Sequence, residues 1–215
     1  MIEELLASGA EWAEEFGDPV EAPLFPEEEA VVARAVGKRR REFGSARNCA
    51  REALSRLGVP PAPILPGERG APRWPDGVVG SITHCAGYRA AVVARGRDLL
   101  TVGIDAEPGG RGLPDGVLDH VSLPAERAML SELSAAVPGV PWDLLLFSAK
   151  ESVYKAWFPL TRRWLGFEDA EITISADGTF GARLLVPAGP ACPAGFTGRW
   201  LARNGLVVTA ITTPV

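Results

Sequence analysis

The feature that most constrains this chain is a pair of acidic elements about forty residues apart. The first, Val102-Gly103-Ile104-Asp105-Ala106-Glu107-Pro108, reads as the end of a buried strand. The second, Phe147-Ser148-Ala149-Lys150-Glu151-Ser152-Val153-Tyr154-Lys155-Ala156-Trp157, reads as part of a long helix. Strand residues two apart share a face, so Asp105 and Glu107 point one way and Ala106 the other. Ser148, Glu151, Ser152 and Lys155 fall at i, i+3, i+4 and i+7 on one helix face, leaving Leu146, Val153, Tyr154 and Trp157 for a core-facing one. A fold that brings the two elements together assembles three acids and two lysines, a site for a divalent cation and a phosphate. That narrows the function to phosphoryl-type chemistry.

Two carboxylates side by side repel unless a cation sits between them. Hard oxygen ligands suit magnesium, which keeps several waters and adds phosphate oxygens of a substrate. Taken alone, Asp-x-Glu is equally two solvated acids at a strand end, and Glu-x-x-x-Lys equally a surface ion pair. The aromatic, mostly apolar helix around the polar stripe argues instead for the lining of a cleft. Gly80-Ser81-Ile82-Thr83-His84-Cys85 follows a strand-like run and carries one of the two histidines. A histidine at a strand end beside Ser and Thr can donate to phosphate oxygens, or can be a hydrogen-bonded structural residue. The basic run Lys38 to Arg41, with Arg47 and Arg51, is either a solvated helix end or a phosphate-binding patch reached by Arg39, Arg40 and Arg47. Arg162-Arg163 is a further basic spot, and His120 is given no role.

Along the chain, residues Met1 to Pro23 are acidic with one apolar stripe (Leu5, Leu6, Trp12, Phe16) and read as a peripheral helix. Pro26 opens a second helix with Glu27-Glu28-Glu29 in its first turn and Lys38 to Arg41 at its end, an order that complements the helix dipole. A further helical pattern covers Ser45 to Leu57 and stops at Gly58. After a Pro- and Gly-rich loop (Pro60 to Pro75) come strand-like runs at Val78 to His84, Arg89 to Ala94 and Leu99 to Ile104. Pro108 to Pro114 reads as a linker. Helices follow at Pro124 to Leu133 and Trp142 to Phe158, then strands near Glu171 to Ile174, Thr179 to Pro187, Phe196 to Ala202 and Leu206 to Thr212. Asp177-Gly178 and Asn204-Gly205 signal tight hairpins. The expected fold is α+β, two similar lobes (residues 1–108 and 109–215), each with helices packed on an antiparallel sheet, and no internal sequence repeat is evident.

At 215 residues and 47% hydrophobic, the chain can bury a full core. A net charge of −5 argues against nucleic acid as a partner, although local basic clusters can still bind phosphates. Three cysteines without CxxC spacing argue against a disulfide framework or zinc site and fit a reducing compartment. No apolar run approaches a membrane span, and Met1-Ile2-Glu3-Glu4-Leu5 lacks the basic and apolar regions of a signal peptide, so a soluble cytoplasmic protein is expected.

Taken together, Gly-Ser-Ile-Thr-His (80–84), Val-Gly-Ile-Asp-Ala-Glu-Pro (102–108) and Phe-Ser-Ala-Lys-Glu-Ser-Val-Tyr-Lys-Ala-Trp (147–157) resemble the 4'-phosphopantetheinyl transferases. The likeness is to the long, single-chain type that serves siderophore, surfactin and polyketide synthases, and it runs from about Glu27 to Ile211. Trp157 to Phe167 further resembles actinobacterial members. The resemblance implies two lobes related by a pseudo-twofold axis, coenzyme A as co-substrate between them, and a monomer, since the chain is long enough to hold both halves. It implies that Asp105, Glu107 and Glu151 hold magnesium, or manganese, against the coenzyme A pyrophosphate. Lys155 would contact the phosphate being transferred or its bridge, with Lys150 assisting. His84, with Ser81 or Thr83, would contact the nucleotide-end phosphates, and Arg39 and Arg47 the 3'-phosphate. Pro66 stands where close relatives often carry a lysine, which would lose a nucleotide contact or shift it to Arg69. Ala106 stands where a bulky aliphatic residue is common, on the side facing away from the metal.

The implied reaction moves phosphopantetheine from coenzyme A to a serine of an apo acyl or peptidyl carrier domain of a fatty-acid, polyketide or nonribosomal peptide synthase, releasing adenosine 3',5'-bisphosphate. Asp105, Glu151 and Lys155 would carry the catalysis, with Glu151 taking the serine proton. The rivals are another magnesium-dependent phosphoryl-transfer enzyme and a non-catalytic module binding coenzyme A or a carrier protein. No P-loop is present, which counts against nucleoside triphosphate hydrolysis. A two-carboxylate glycosidase leaves the lysines without a role. A basic or apolar rim around Arg162, Arg163 and Trp164 would receive an acidic carrier.

Overall fold

A computed structural model describes residues 1–110 and 112–215. Arg111, in the expected linker, lies outside the described residues. The first elements are a short 3-10 helix (Ile2–Leu5) and strand β1 (Ala10–Phe16), so the helix expected over residues 1–23 is not formed. The reason is tertiary: β1 pairs antiparallel with β3 (Tyr88–Arg95), opposing Glu15 to Arg89 and Phe16 to Tyr88. Glu14 then accepts the Tyr88 hydroxyl at 2.7 Å and Glu15 the Arg89 guanidinium at 2.8 Å. Two acids of this segment are thus cross-strand partners.

The single helix expected from Pro26 to Arg41 is two: α1 (Pro26–Val32) and α2 (Gly37–Arg56). Glu28 and Arg51 are 23 residues apart and form a 2.9 Å ion pair. One continuous helix would separate them by about 35 Å, so the chain must fold back between them. Lys38 to Arg41 consequently open α2 rather than closing α1, and their charge adds to the positive end of that helix dipole instead of offsetting a negative one.

Strands β2 (Val78–Cys85) and β3 complete a three-stranded sheet in the order β1-β3-β2. Strand β4 (Leu99–Pro108) joins a five-stranded sheet with β5 (Ala170–Ile174), β6 (Thr179–Leu184), β7 (Gly195–Arg203) and β8 (Leu206–Pro214), in the order β4-β8-β7-β6-β5. Helices α3 (Val117–Val121), α4 (Pro124–Ala136) and α5 (Trp142–Thr161) lie between β4 and β5 in sequence. The β7–β8 hairpin turns at Asn204 and Gly205, both with positive φ, as their Asn-Gly sequence demands.

The layers are helix, sheet, sheet, helix. Cys49, Ala50, Ala53 and Leu54 of α2 pack on Ala91 and Val93 of β3. The other face of β3 (Tyr88, Ala90, Val92) meets Val102, Ile104 and Ala106 of β4 and Val208 of β8. Val153 and Trp157 of α5 pack on Ile172, Phe196, Val207 and Ile211. This is a mixed α+β fold of two lobes. No helix among the described residues is long and apolar enough to cross a membrane.

Candidate active site

The site forms where α5 lies on β4. Gly103 makes this possible: a methyl there would meet the Ser152 carbonyl oxygen at 2.1 Å. Buried hydroxyls fix the docking, with Thr209 of β8 2.9 Å from Ser148 Oγ and 2.7 Å from Ser152 Oγ. Thr209 also stands opposite Asp105 in the β4–β8 register. The polar stripe of α5 therefore divides. Ser148 and Ser152 turn inward and hold the helix, while Glu151 and Lys155 are left at the open edge of the interface. Ala106 points into the core between the sheets, away from the acids, as the strand alternation predicts.

Lys155 Nζ donates to Asp105 Oδ1 at 2.7 Å and to the Ile104 carbonyl at 3.1 Å. The Thr83 hydroxyl also faces Asp105 Oδ1, at 3.4 Å. Asp105 Oδ2 is buried with no hydrogen-bond partner. Burial pushes the Glu107 carboxyl up to about 7, Asp105 and Glu151 add to the rise, and Lys155 opposes it. Glu151 is raised by burial and by Asp105, again against Lys155. Three acids thus feel one another's charge beside one lysine. Among the described residues no three His, Cys, Asp or Glu side chains make a ready cage for a metal. An acceptor-only oxygen left bare in a cluster of mutually repelling acids nevertheless fits a hard cation that takes its remaining ligands from water and substrate.

A basic flank adjoins the acids. Arg39 Nη1 lies 3.4 Å from His84 Nε2. The His84 ring holds its pKa below the usual imidazole value, first through partial burial and then through Arg39, Lys155 and Arg47. Arg47 is buried, stacked 4.1 Å from the Phe43 ring centroid, and tied by Nε to the Ile64 carbonyl at 3.2 Å. Burial brings its guanidinium down to about 10, with Arg39 and Arg51 acting in the same sense and Glu28 against it. Arg39 and Arg47 thus bring positive charge to a His84 ring disfavoured in its charged form, an arrangement that a bound anion would relieve. Arg40, the third residue of the expected patch, instead pairs with Glu29.

A cleft of about 820 Å³ opens beside Lys155 and Glu151, walled by the 67–74 loop, the start of β2, and Tyr154, Phe158 and Arg162 of α5 and its cap. Arg69, in that wall at φ 53°, stacks 5.2 Å from the Trp164 ring. The Tyr154 hydroxyl, which the sequence pattern assigned to the core, is buried at the cleft without a partner. A second groove of about 740 Å³, mostly apolar, begins at Glu107 and is lined further by Leu113, Val117, Leu144 and Phe147. Apart from Glu107, Pro108 and Phe147, its lining lies outside the motifs, at Gly110 and Leu144 and in residues 112–117.

Three residues expected at the site hold other contacts. Ser81 Oγ and Thr83 Oγ1 accept the backbone N–H groups of Ile104 and Ala106, each at 3.1 Å, and so cap the free edge of β4. Lys150 turns away from the acids and is only 4% exposed. Its Nζ donates to Phe167 O at 2.6 Å and Ala170 O at 3.0 Å, and pairs with Glu126 at 2.9 Å.

Residues 27–94 match the model of the 4'-phosphopantetheinyl transferase N-terminal domain, and residues 101–210 match that of the 4'-phosphopantetheinyl transferase superfamily. The chain is 60% identical over 219 residues to the 4'-phosphopantetheinyl transferase Svp of Streptomyces mobaraensis, covering 98% of this chain and 88% of that one. It is 54% identical to PptT of Mycobacterium tuberculosis, covering 93% and 90%, and 52% identical to Npt of Nocardia iowensis, covering 98% and 99%. Both are likewise 4'-phosphopantetheinyl transferases.

Proposed function

The chain belongs to the 4'-phosphopantetheinyl transferase superfamily, and from that premise we propose how its own residues transfer phosphopantetheine from coenzyme A to a serine of an apo carrier domain. The observation that carries the reading is the Lys155–Asp105 pair, with a bare Asp105 oxygen between two carboxylates of raised pKa. Asp105, Glu107 and Glu151 would hold magnesium, or manganese, which when bound supplies positive charge at the coenzyme A pyrophosphate.

Arg39, Arg47 and His84 form an anion-binding flank suited to the 3'-phosphate and the nucleotide end. Ser81 and Thr83 act there by fixing β4, and Thr83 by orienting Asp105. Lys155, between Asp105 and the cleft, would bind the phosphate being transferred. Glu151, made more basic by burial and by Asp105, would take the proton of the carrier serine. The serine Oγ–P bond forms at the phosphorus bearing pantetheine as its bond to the bridging oxygen breaks. Adenosine 3',5'-bisphosphate leaves with that bonding pair, its charge offset by Lys155. Since Lys155 and Glu151 line the larger cleft and Glu107 the apolar groove, coenzyme A would enter from the first. A carrier from fatty-acid, polyketide or peptide synthesis would offer its serine from the second. We assign the lobes to residues 1–108 and 109–215 with the site between them. Strand β4 is shared, since β8 pairs with one of its edges and β2 hydroxyls cap the other. One chain supplies both lobes, which supports a monomer.

The test is intact-mass spectrometry of an apo carrier protein incubated with this chain, coenzyme A and magnesium, with and without chelator. The expected result is a gain of one phosphopantetheinyl group that chelator abolishes. No gain on fatty-acid, polyketide or peptide carriers, from folded protein, would point to a binding module instead.

A further inference from the structure

Two buried glutamates occupy corresponding places in the two lobes. Phe25-Pro26-Glu27-Glu28 opens α1 and Leu123-Pro124-Ala125-Glu126 opens α4. Each glutamate caps its own helix, Glu28 accepting the Phe25 N–H at 3.0 Å and Glu126 the Leu123 N–H at 2.6 Å. Each pairs at 2.9 Å with a cation on the long helix that follows, Arg51 or Lys150. Each also accepts the backbone N–H of a downstream isoleucine, Ile64 at 2.8 Å or Ile172 at 2.7 Å. The glutamates are 0% and 1% exposed. The shared sequence is only an apolar residue, Pro, any residue and Glu, with different cations, which is why no repeat is evident in the chain.

In the N-terminal lobe this clamp holds the segment whose Ile64 carbonyl receives Arg47 Nε. In the C-terminal lobe Lys150 ties α5 to Phe167, Ala170 and Glu126, and its three donors are all committed. Glu151 is the next residue. A cavity of about 110 Å³ lies between Glu151, Tyr154, Trp164 and Phe167, with Lys150 in its wall. For Lys150 to reach a phosphate it would have to leave a buried carboxylate uncompensated, which is costly.

We propose that Lys150 and Glu126 are positioning residues, the C-terminal counterpart of Arg51 and Glu28, which set Glu151 and the wall of its cavity rather than contacting coenzyme A. The proposal rests on the reading of Glu151 as a site carboxylate. It concerns the same reaction but assigns Lys150 a different task from the other motif lysine, Lys155.

The test compares wild type, Lys150→Met, Glu126→Gln and the double variant by coenzyme A binding calorimetry with magnesium, by kcat and KM for a carrier protein, and by thermal unfolding. Each single variant should lower Tm by about 10 °C. Each should also lower kcat by about tenfold or more while leaving the coenzyme A Kd within about threefold. The double variant should be no worse than the worse single one, the mark of one coupled unit. A coenzyme A Kd raised about tenfold in Lys150→Met but unchanged in Glu126→Gln would make Lys150 a ligand and overturn the proposal. Coupling in Tm with kcat unchanged would leave the pair a fold element only and also overturn it. Should Lys150→Met fail to fold, Glu126→Gln alone decides: positioning requires kcat to fall, whereas a ligand role leaves it intact. If wild type itself transfers nothing, the functional reading fails, and the Tm coupling still reports whether the clamp exists.

Discussion

Gly103 of β4 sits directly beneath the Ser152 carbonyl of α5, so close that a Cβ would lie 2.1 Å from that oxygen and 2.8 Å from the Ala156 nitrogen. Both obstacles are helix backbone, which cannot rotate aside as a side chain can. This contact brings a helix bearing Glu151 and Lys155 within hydrogen-bond reach of a strand bearing Asp105.

Gly103→Ala should therefore push α5 off β4. Transfer should fall by about 10² or more, since misplacing catalytic groups by about 1 Å costs that much. Gly181→Ala, on β6 where an added Cβ meets nothing within 4 Å, should retain activity. Side-by-side kinetics and melting curves check the pair; an active, normally stable Gly103→Ala would contradict the packing.

Asp105→Asn and Glu151→Gln should each abolish transfer on the carrier-mass assay. Asp105→Asn should also weaken the response of residual activity to magnesium, because the amide removes a charged oxygen ligand. Lys155→Met should lower kcat and, in metal-free buffer, also lower Tm, because it leaves the nearly buried Asp105 carboxylate without its counter-charge. Near wild-type turnover in both acid variants would remove the site assignment.

Stability should depend on pH through Glu107. Its carboxyl is raised from 4.5 to about 7 in the fold. The folded state then holds the proton more tightly than the open chain, so this group's stabilising contribution is full below 4.5 and is lost as pH rises through about 7. The Tm of Glu107→Gln relative to wild type should climb between pH 4.5 and about pH 7 in metal-free buffer and level off above it. Magnesium should raise the wild-type Tm more at the higher pH, where the acids are ionised. A Tm difference flat across that range would count against the burial of this carboxyl.

Thr83→Val leaves the Ala106 N–H without its acceptor at the capped edge of β4. The expected cost is about 1–3 kcal/mol in denaturant unfolding, with Ser81→Ala similar through Ile104. Thr83→Val should additionally lower kcat because its hydroxyl faces Asp105, while Ser81→Ala should not. Equal kinetic effects would show that the two hydroxyls act only through the strand edge.

The central motifs were legible because their spacing states which residues share a face. Asp105 with Glu107, and Glu151 with Lys155, follow from periods of two and 3.6 whatever surrounds them. The strands from Val78 onward and the Asn204-Gly205 turn were legible for the same local reason, since alternation and positive φ are properties of a few neighbouring residues. Periodicity says that a face is covered without saying by what. Residues 10–16 became a strand because Tyr88 and Arg89 were there to pair with their acids. The helix expected from Pro26 to Arg41 broke because Glu28 needed Arg51. Ser148 and Ser152 parted from Glu151 and Lys155 because Thr209 lay opposite only one side of the stripe. Lys150, adjacent to Glu151 in the motif, went to Glu126 because a helix turns about 100° per residue, which points neighbours at different elements. Local spacing set the chemical groups and their facing, whereas long-range packing chose their partners, because a buried charge is stable only where a distant part of the chain supplies its counter-charge and hydrogen bonds.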